Sequence, residues 1–102
     1  MSSKHILLLT DLQSLKLVNV DAITIESITG LDNVTVAKWH PRQGGKFLFG
    51  TTKGTIKLYN VEKKIIEMEY ISLSVGVVDL YWNPGEDVFL ALFQDGRLRL
   101  YG

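Results

Sequence analysis

The sequence contains no cysteine and only two prolines. The absence of cysteine excludes disulfide bonds, thiolate zinc ligands and a cysteine nucleophile. Lysine and arginine together number 11, as do aspartate and glutamate, so the chain has no net charge at neutral pH. A balanced charge gives no electrostatic reason to expect nucleic acid as a partner. Apolar runs are too short for a signal peptide or a membrane span, so we expect a cytoplasmic or nuclear location.

The chain instead contains an internal repeat. Residues 34–60 and 77–102 each contain a Trp-X-Pro sequence, an apolar run, X-Gly and an alternating stretch that includes Leu-Tyr. The two tryptophans, Trp39 and Trp82, are 43 positions apart, and Tyr59 and Tyr101 are 42 positions apart. A weaker third copy precedes them, because residues 14–20 match residues 55–61 at an offset of 41. These offsets predict three copies of one structural unit.

Within each copy the pattern predicts strands. Basic and aliphatic residues alternate from Arg97 to Leu100, as they do in a half-buried strand. Lys53-Gly54 and Asp95-Gly96 predict tight hairpins, because glycine accepts a positive φ. The map has ten strands in groups of three, four and three. They are 6–10, 15–20 and 22–28; 34–39, 46–51, 55–60 and 64–70; 77–82, 88–93 and 97–101.

These residues resemble the WD40 repeat family. Residues 77–102 are similar to its pattern, with Trp82-Asn83-Pro84, an apolar strand, Asp95-Gly96 and a strand that ends at Tyr101. The resemblance implies an all-β fold of about two and a half antiparallel four-stranded blades of a WD40-type β-propeller, an incomplete ring. It divides the domain 1–102 into a partial blade 1–30, a complete blade 31–73 and a partial blade 74–102.

The sequence departs from the family pattern at two motifs. Neither Trp-Asp nor Gly-His occurs. Of the family's hydrogen-bonded tetrad, the aspartate can be placed only at Asp95, and Lys53 stands at that position in the other copy. We therefore expect no complete tetrad. Large aromatic residues at repeated positions predict packing between blades rather than a binding site. They are Trp39, Trp82, Tyr59 and Tyr101.

No residue set predicts catalysis, a metal or a cofactor. The two histidines, His5 and His40, lie 35 positions apart without a partner at metal-ligand spacing. We interpret His40, in Trp-His-Pro, as a turn or packing residue. An enzyme that uses His40 and Asp79 is the weakest alternative, because no acid/base pair surrounds them in the sequence.

Turn residues are the candidates for partner contacts, because they differ between the copies and loops carry recognition. These candidates are Asp11, Asp32, Asn33, Lys53 and Asp95. A second set of residues is basic and recurs at or beside one repeat position: Lys16, Lys57, Arg97 and Arg99. Such a row could bind phosphoinositide headgroups. The structural alternative is that these side chains cover apolar surface with their heads in water.

The sequence thus predicts a non-catalytic scaffold that binds other proteins, as a fragment or subunit of a larger assembly. One alternative is a phosphoinositide-binding adaptor, and another is a self-contained small β domain. Since end blades cannot cover their own faces, we also expect self-association through exposed blade edges. Leu58 and Leu100, which align with Leu17, are predicted to be buried.

Overall fold

The computed structural model describes residues 5–11, 14–28, 31, 33–70 and 73–102. Within these ranges the chain forms ten strands and no helix, as predicted. The strands are β1 His5–Asp11, β2 Ser14–Asn19, β3 Thr24–Ile28, β4 Val34–Trp39, β5 Lys46–Thr51, β6 Ile56–Asn60, β7 Ile65–Tyr70, β8 Val77–Trp82, β9 Phe89–Phe93 and β10 Leu98–Tyr101.

The strands form three antiparallel sheets, and each sheet pairs strands that follow one another in the chain. The first sheet has the order β1-β2-β3, the second β4-β5-β6-β7 and the third β10-β9-β8. Predicted and observed strand bounds differ most at β3, which begins at Thr24 rather than at residue 22. The grouping of strands into three, four and three is confirmed.

Asparagine side chains explain the later start of β3. The Oδ1 atoms of Asn19 and Asn60 each accept the backbone N–H three residues onward, at 3.1 and 3.0 Å. Each turn then passes through a residue of positive φ, Ile23 at 52° and Lys64 at 57°. Because this local hydrogen bond competes with strand pairing, the backbone turns before it enters the outer strand.

The second and third sheets begin with the same irregularity. Pairing of β4 with β5 shifts between Val34 and Val36, and pairing of β8 with β9 shifts between Val77 and Asp79. The extra residue in β4 is Thr35, whose hydroxyl donates to the carbonyl oxygen of Val77 at 2.5 Å. The bulge therefore aims a side chain at the neighbouring sheet and joins the two sheets.

One hydrophobic core lies between the first and second sheets. Phe47 is fully buried there and contacts Trp39 edge to face, with ring centroids 5.8 Å apart. Tyr59 also packs on Phe47, at 5.3 Å, so these aromatic residues pack between sheets as the sequence predicts. The buried members are Leu15, Leu17, Ile28, Leu31, Val34, Phe47, Phe49 and Tyr59.

A second core lies between the second and third sheets. Phe89 stacks on Tyr101 with ring centroids 5.0 Å apart, and Trp82 contacts Phe89 at 5.3 Å. The backbones approach closely at Gly50, where a Cβ atom would lie 2.6 Å from Cγ1 of Val77. The buried members are Val36, Leu48, Ile56, Leu58, Val77, Leu80, Phe89, Ala91, Phe93 and Tyr101.

The outer faces of the end sheets are apolar and exposed. Leu98 and Leu100 of the third sheet are 57% and 72% exposed, and Ile25 of the first sheet is 69% exposed. The prediction that Leu100 is buried is therefore wrong, although Leu58 is buried as predicted. Leu58 lies on the face of the second sheet that the third sheet covers. Within the described ranges, no sheet lies against the corresponding face of the third sheet.

Candidate functional site

Two of the predicted contact residues lie together at one end of the second sheet. The carbonyl oxygen of Asn33 accepts the N–H of Thr52 at 2.9 Å, which holds the segment before β4 against the turn that contains Lys53. Asn33 has a φ of 58°. A cavity of about 220 Å³ opens here, and Lys57 also lines it. Asn33, Lys53 and Lys57 thus line one cavity.

Asp95 occupies the equivalent turn of the third sheet, between β9 and β10. Its Oδ1 accepts the backbone N–H of Arg97 at 3.1 Å, and its Oδ2 contacts Nε of the same arginine. The hydrogen bond from the Arg97 backbone is the main cause that lowers the pKa of Asp95. Lys53 and Asp95 therefore place opposite charges at matching turns of neighbouring sheets.

The other two candidates are Asp11 and Asp32. Asp11 ends β1, where pairing with β2 shifts between Leu9 and Asp11. Asp32 lies outside the described residues. The contact role proposed for the turn residues remains a prediction for all five of them.

A pair of hydroxyls that was not predicted from the sequence stabilises the Lys53 turn. Oγ1 of Thr51 lies 2.6 Å from Oγ1 of Thr55 and accepts the N–H groups of Lys53 and Thr55, both at 3.3 Å. Thr51 is buried. Threonines on both sides of Lys53-Gly54 were the available signal, since such hydroxyls satisfy turn donors.

The members of the basic row have partners within the chain. Nζ of Lys16 donates to Oγ of Ser27 at 2.6 Å, and Nζ of Lys57 lies 3.6 Å from Oε1 of Glu69. Arg97 contacts Asp95, as described above. The guanidinium of Arg99 lies over the ring of Tyr101, 5.7 Å from its centroid. These contacts lie along individual sheets, and they favour the structural interpretation over a row facing one headgroup.

His40 anchors the turn after β4. Its Nδ1 accepts the backbone N–H groups of Arg42 and Gln43 at 3.0 and 2.9 Å, while Nε2 lies 3.1 Å from Oδ1 of Asp87. Burial lowers the pKa of His40, and the Asp87 carboxylate partly opposes that effect. The ring packs 4.5 Å from that of Trp82. This geometry agrees with the predicted turn and packing role.

Asn83 performs the same task in the third sheet. It stands 43 positions after His40, and its Oδ1 accepts the backbone N–H of Gly85 at 3.0 Å. A neutral imidazole and an amide thus serve as interchangeable acceptors at one repeat position.

A larger cavity of about 410 Å³ lies between β7 and the third sheet. Its lining includes Met68 and Tyr70 on one side and Trp82 and Gly102 on the other. At its margin Nζ of Lys46 lies 2.9 Å from Glu67, and this contact is the main cause that lowers the pKa of Glu67. The cavity therefore combines apolar walls with a charged rim.

Two kinds of site are absent from the part of the chain that the structure describes. It contains no group of three or more histidine, cysteine or carboxylate residues that could hold a metal ion. Across the same ranges, no helix is long and apolar enough to span a membrane.

Comparison with known proteins identifies the fold. No protein-family model matches the chain, and no curated protein matches it. The WD40 domain of coronin from Toxoplasma gondii is similar to 97% of the chain, with 17% sequence identity and a TM-score of 0.81. A chain of the mitotic checkpoint complex is similar to 86% of it, with 20% identity and a TM-score of 0.74.

The chain therefore has the WD40 repeat fold, as the sequence resemblance implies. It spans 28% of the length of the coronin domain and 27% of the checkpoint-complex chain. Its three sheets correspond to propeller blades that do not close a ring.

Proposed function

We propose that this chain is a non-catalytic scaffold that binds other proteins in the cytoplasm or nucleus. One observation carries the proposal: packed sheets hold turns of different chemistry at matching positions. The turn of the second sheet offers Lys53 beside Asn33, and the turn of the third sheet offers Asp95. Rigid sheets that position variable loops are a common basis of recognition.

We also propose that the chain is a fragment or subunit of a larger assembly. Leu98, Leu100 and Ile25 leave apolar area exposed on the faces at both ends of the sheet stack. Such patches mark interaction surfaces. The similar chain in the mitotic checkpoint complex is itself part of a protein complex, which supports this proposal by analogy of fold.

The test is affinity capture followed by quantitative mass spectrometry, with a triple variant of the turns. Asn33→Ala, Lys53→Glu and Asp95→Asn together change the proposed contacts. Asp95→Asn keeps a side-chain oxygen that can accept the Arg97 N–H. We expect the parent chain to recover a defined set of proteins and the triple variant to lose most of that set.

Lys63→Glu supplies a matched control. Lys63 is exposed in the turn between β6 and β7, at the opposite end of the second sheet, and its substitution has the same charge change as Lys53→Glu. This control should recover the same proteins as the parent. Recovery that does not differ between the parent and the triple variant would refute the proposed contact surface.

A further inference from the structure

The cavity of about 220 Å³ beside the β5–β6 turn combines apolar walls with polar side chains. Leu31 and Phe49 line it and are only 6% and 3% exposed. Asn33 and Lys53 line it as well, and Lys53 is exposed to solvent. Because apolar walls keep water from one side of the cavity, a charge placed in it is screened less than on an open surface.

The charged residues that line this cavity are both lysines within the described part of the chain. No carboxylate of those ranges forms an ion pair with Lys53. Nζ of Lys57 lies 3.6 Å from Oε1 of Glu69, whose side chain is 69% exposed and does not line the cavity. An ammonium group carries three donors, so Lys57 keeps donors besides this long contact. The cavity is therefore electropositive.

A threonine hydroxyl adds a neutral donor. Oγ1 of Thr51 accepts the N–H groups of Lys53 and Thr55, both at 3.3 Å, and lies 2.6 Å from Oγ1 of Thr55. A hydroxyl has two acceptor lone pairs and one proton. Since both lone pairs of Thr51 are occupied, its proton goes to Thr55. The proton of the Thr55 hydroxyl is then left to donate to an acceptor in the cavity that Thr55 lines.

The third sheet forms the equivalent turn with the opposite charge. Asp95 and Arg97 stand 42 positions after Lys53 and Thr55. There the chain supplies its own carboxylate, because Oδ1 of Asp95 accepts the N–H of Arg97 at 3.1 Å. In the second sheet the Thr51 hydroxyl accepts the matching N–H, and a cation stands where the carboxylate would be. The turn thus forms with either chemistry, and only the turn of the second sheet is complementary to an external anion.

We propose that this cavity binds one anionic oxygen group, a carboxylate or a phosphate, carried by a side chain of a partner protein. Lys53 supplies the positive charge, the Thr55 hydroxyl donates to one oxygen, and Lys57 is the second cation. The volume is below the roughly 300–1,000 Å³ of ordinary small-molecule pockets, so it suits one side-chain group. The proposal rests on the protein-binding function proposed above and names the chemistry that the turn of the second sheet recognises.

Nuclear magnetic resonance titration of the ¹⁵N-labelled chain tests this proposal. The probes are inorganic phosphate, exchanged for chloride at constant ionic strength, and pentapeptides Gly-Gly-X-Gly-Gly with blocked termini, in which X is phosphoserine or glutamate. Each probe should shift the amide signals of Lys53, Gly54 and Thr55 saturably, with a dissociation constant in the millimolar range. The same peptide with serine or glutamine at X should leave these signals in place.

Substitutions at the cavity should change the affinity for each anionic probe. Lys53→Gln should weaken binding about fivefold because it removes the cation without an ion-pair partner, and Lys53→Arg should restore most of the loss. Thr55→Val keeps the branched shape without the hydroxyl and should also weaken binding about fivefold, whereas Thr55→Ser should not. Lys63→Gln is the matched control at the opposite end of the second sheet, and its affinity should stay within about twofold of the parent.

Several results would overturn the proposal. They are shifts that do not saturate, equal weakening by Lys53→Gln and Lys63→Gln, and unchanged affinity in Thr55→Val. Binding of inorganic phosphate without either anionic peptide would assign the cavity to a free anion. Vesicles of phosphatidylcholine with phosphatidylinositol bisphosphate test a lipid source: co-sedimentation that Lys53→Gln abolishes, without shifts from the peptides, would assign the cavity to a headgroup.

Failure of this proposal can be told apart from failure of the protein-binding function. Proteins that the parent captures and the triple turn variant loses, without anion binding at the cavity, would leave that function in place and refute only its anionic chemistry. Anion binding without any captured protein that depends on the turns would contradict the protein-binding function and, with it, the partner side chain.

Discussion

The close approach of the second and third sheets at Gly50 predicts that Gly50→Ala destabilises the fold. The new Cβ atom would lie 2.6 Å from Cγ1 and 2.7 Å from Cβ of Val77. Carbon atoms in ordinary contact lie about 3.5–4.0 Å apart. The two sheets would have to move apart by about 1 Å, or the backbone around Val77 would have to shift.

The expected change in the free energy of unfolding for Gly50→Ala follows from two opposing effects. Overpacking of a well-filled core costs about 1–3 kcal/mol. Replacement of glycine by alanine also restricts the unfolded chain, which stabilises the fold by about 0.4–1 kcal/mol where the native backbone accepts alanine. Because Val77 is only 1% exposed and cannot move into solvent, the clash should dominate. We expect a net loss of about 1–2 kcal/mol.

Urea unfolding monitored by tryptophan fluorescence is the assay, since Trp82 packs against the core that contains Val77. Gly85→Ala is the matched control, because its Cβ atom would find its nearest neighbour at 3.7 Å, and its midpoint should equal or exceed that of the parent. Val77→Ala in the Gly50→Ala background should cost less than it does alone. A Gly50→Ala variant as stable as the parent would refute the packing of these two sheets.

Three further predictions concern positions that the repeat makes comparable. Leu58→Ala should lower the free energy of unfolding by about 2–5 kcal/mol, because Leu58 is only 8% exposed. Leu100→Ala should lower it by less than about 0.5 kcal/mol, because Leu100 is 72% exposed. Equal losses for the two variants in urea unfolding would contradict the exposure of Leu100. Burial holds the pKa of His40 below its usual value, so its neutral form contributes stability that is present above about pH 6.5 and lost as the pH falls. Urea unfolding midpoints should therefore decline from pH 7 to 5 in the parent and decline less in His40→Asn. The same pH dependence in the two proteins would argue against a contribution of neutral His40 to stability. Asn60→Ala should cost about 1 kcal/mol in thermal unfolding because it removes the acceptor of the turn before β7, and an unchanged Tm would exclude that contribution.

The turns show which features of this protein can be predicted from local sequence. Gly54 and Gly96 have φ values of 87° and 85°, so both hairpins form where X-Gly predicts them. The strand map also breaks after residues 20 and 60, but no role in these turns was predicted for Asn19 and Asn60, although both asparagines stand at one repeat position. Their side chains accept backbone N–H groups, which is a local interaction that an alternating apolar pattern does not reveal.

The candidate site was also predicted only in part. The sequence singled out Asn33 and Lys53 as turn residues, but the hydrogen bond between Asn33 and Thr52 that brings them together is a tertiary contact. His40 was recognised as a turn residue, whereas its partner Asp87 lies 47 positions away in the chain. Pairs of this kind depend on how the sheets pack, which periodicity does not encode.

The sequence by itself determined the strands and their grouping, because alternation, turn residues and a repeat of 41 to 43 positions are local or periodic properties. The WD40 repeat fold was implied by the resemblance of these residues to that family. Only the tertiary structure decided which face of each strand is covered. Leu17, Leu58 and Leu100 are equivalent in the repeat, yet the first two are buried and the third is exposed. Burial depends on the neighbouring sheet, and the described chain places such a neighbour beside Leu17 and Leu58 alone.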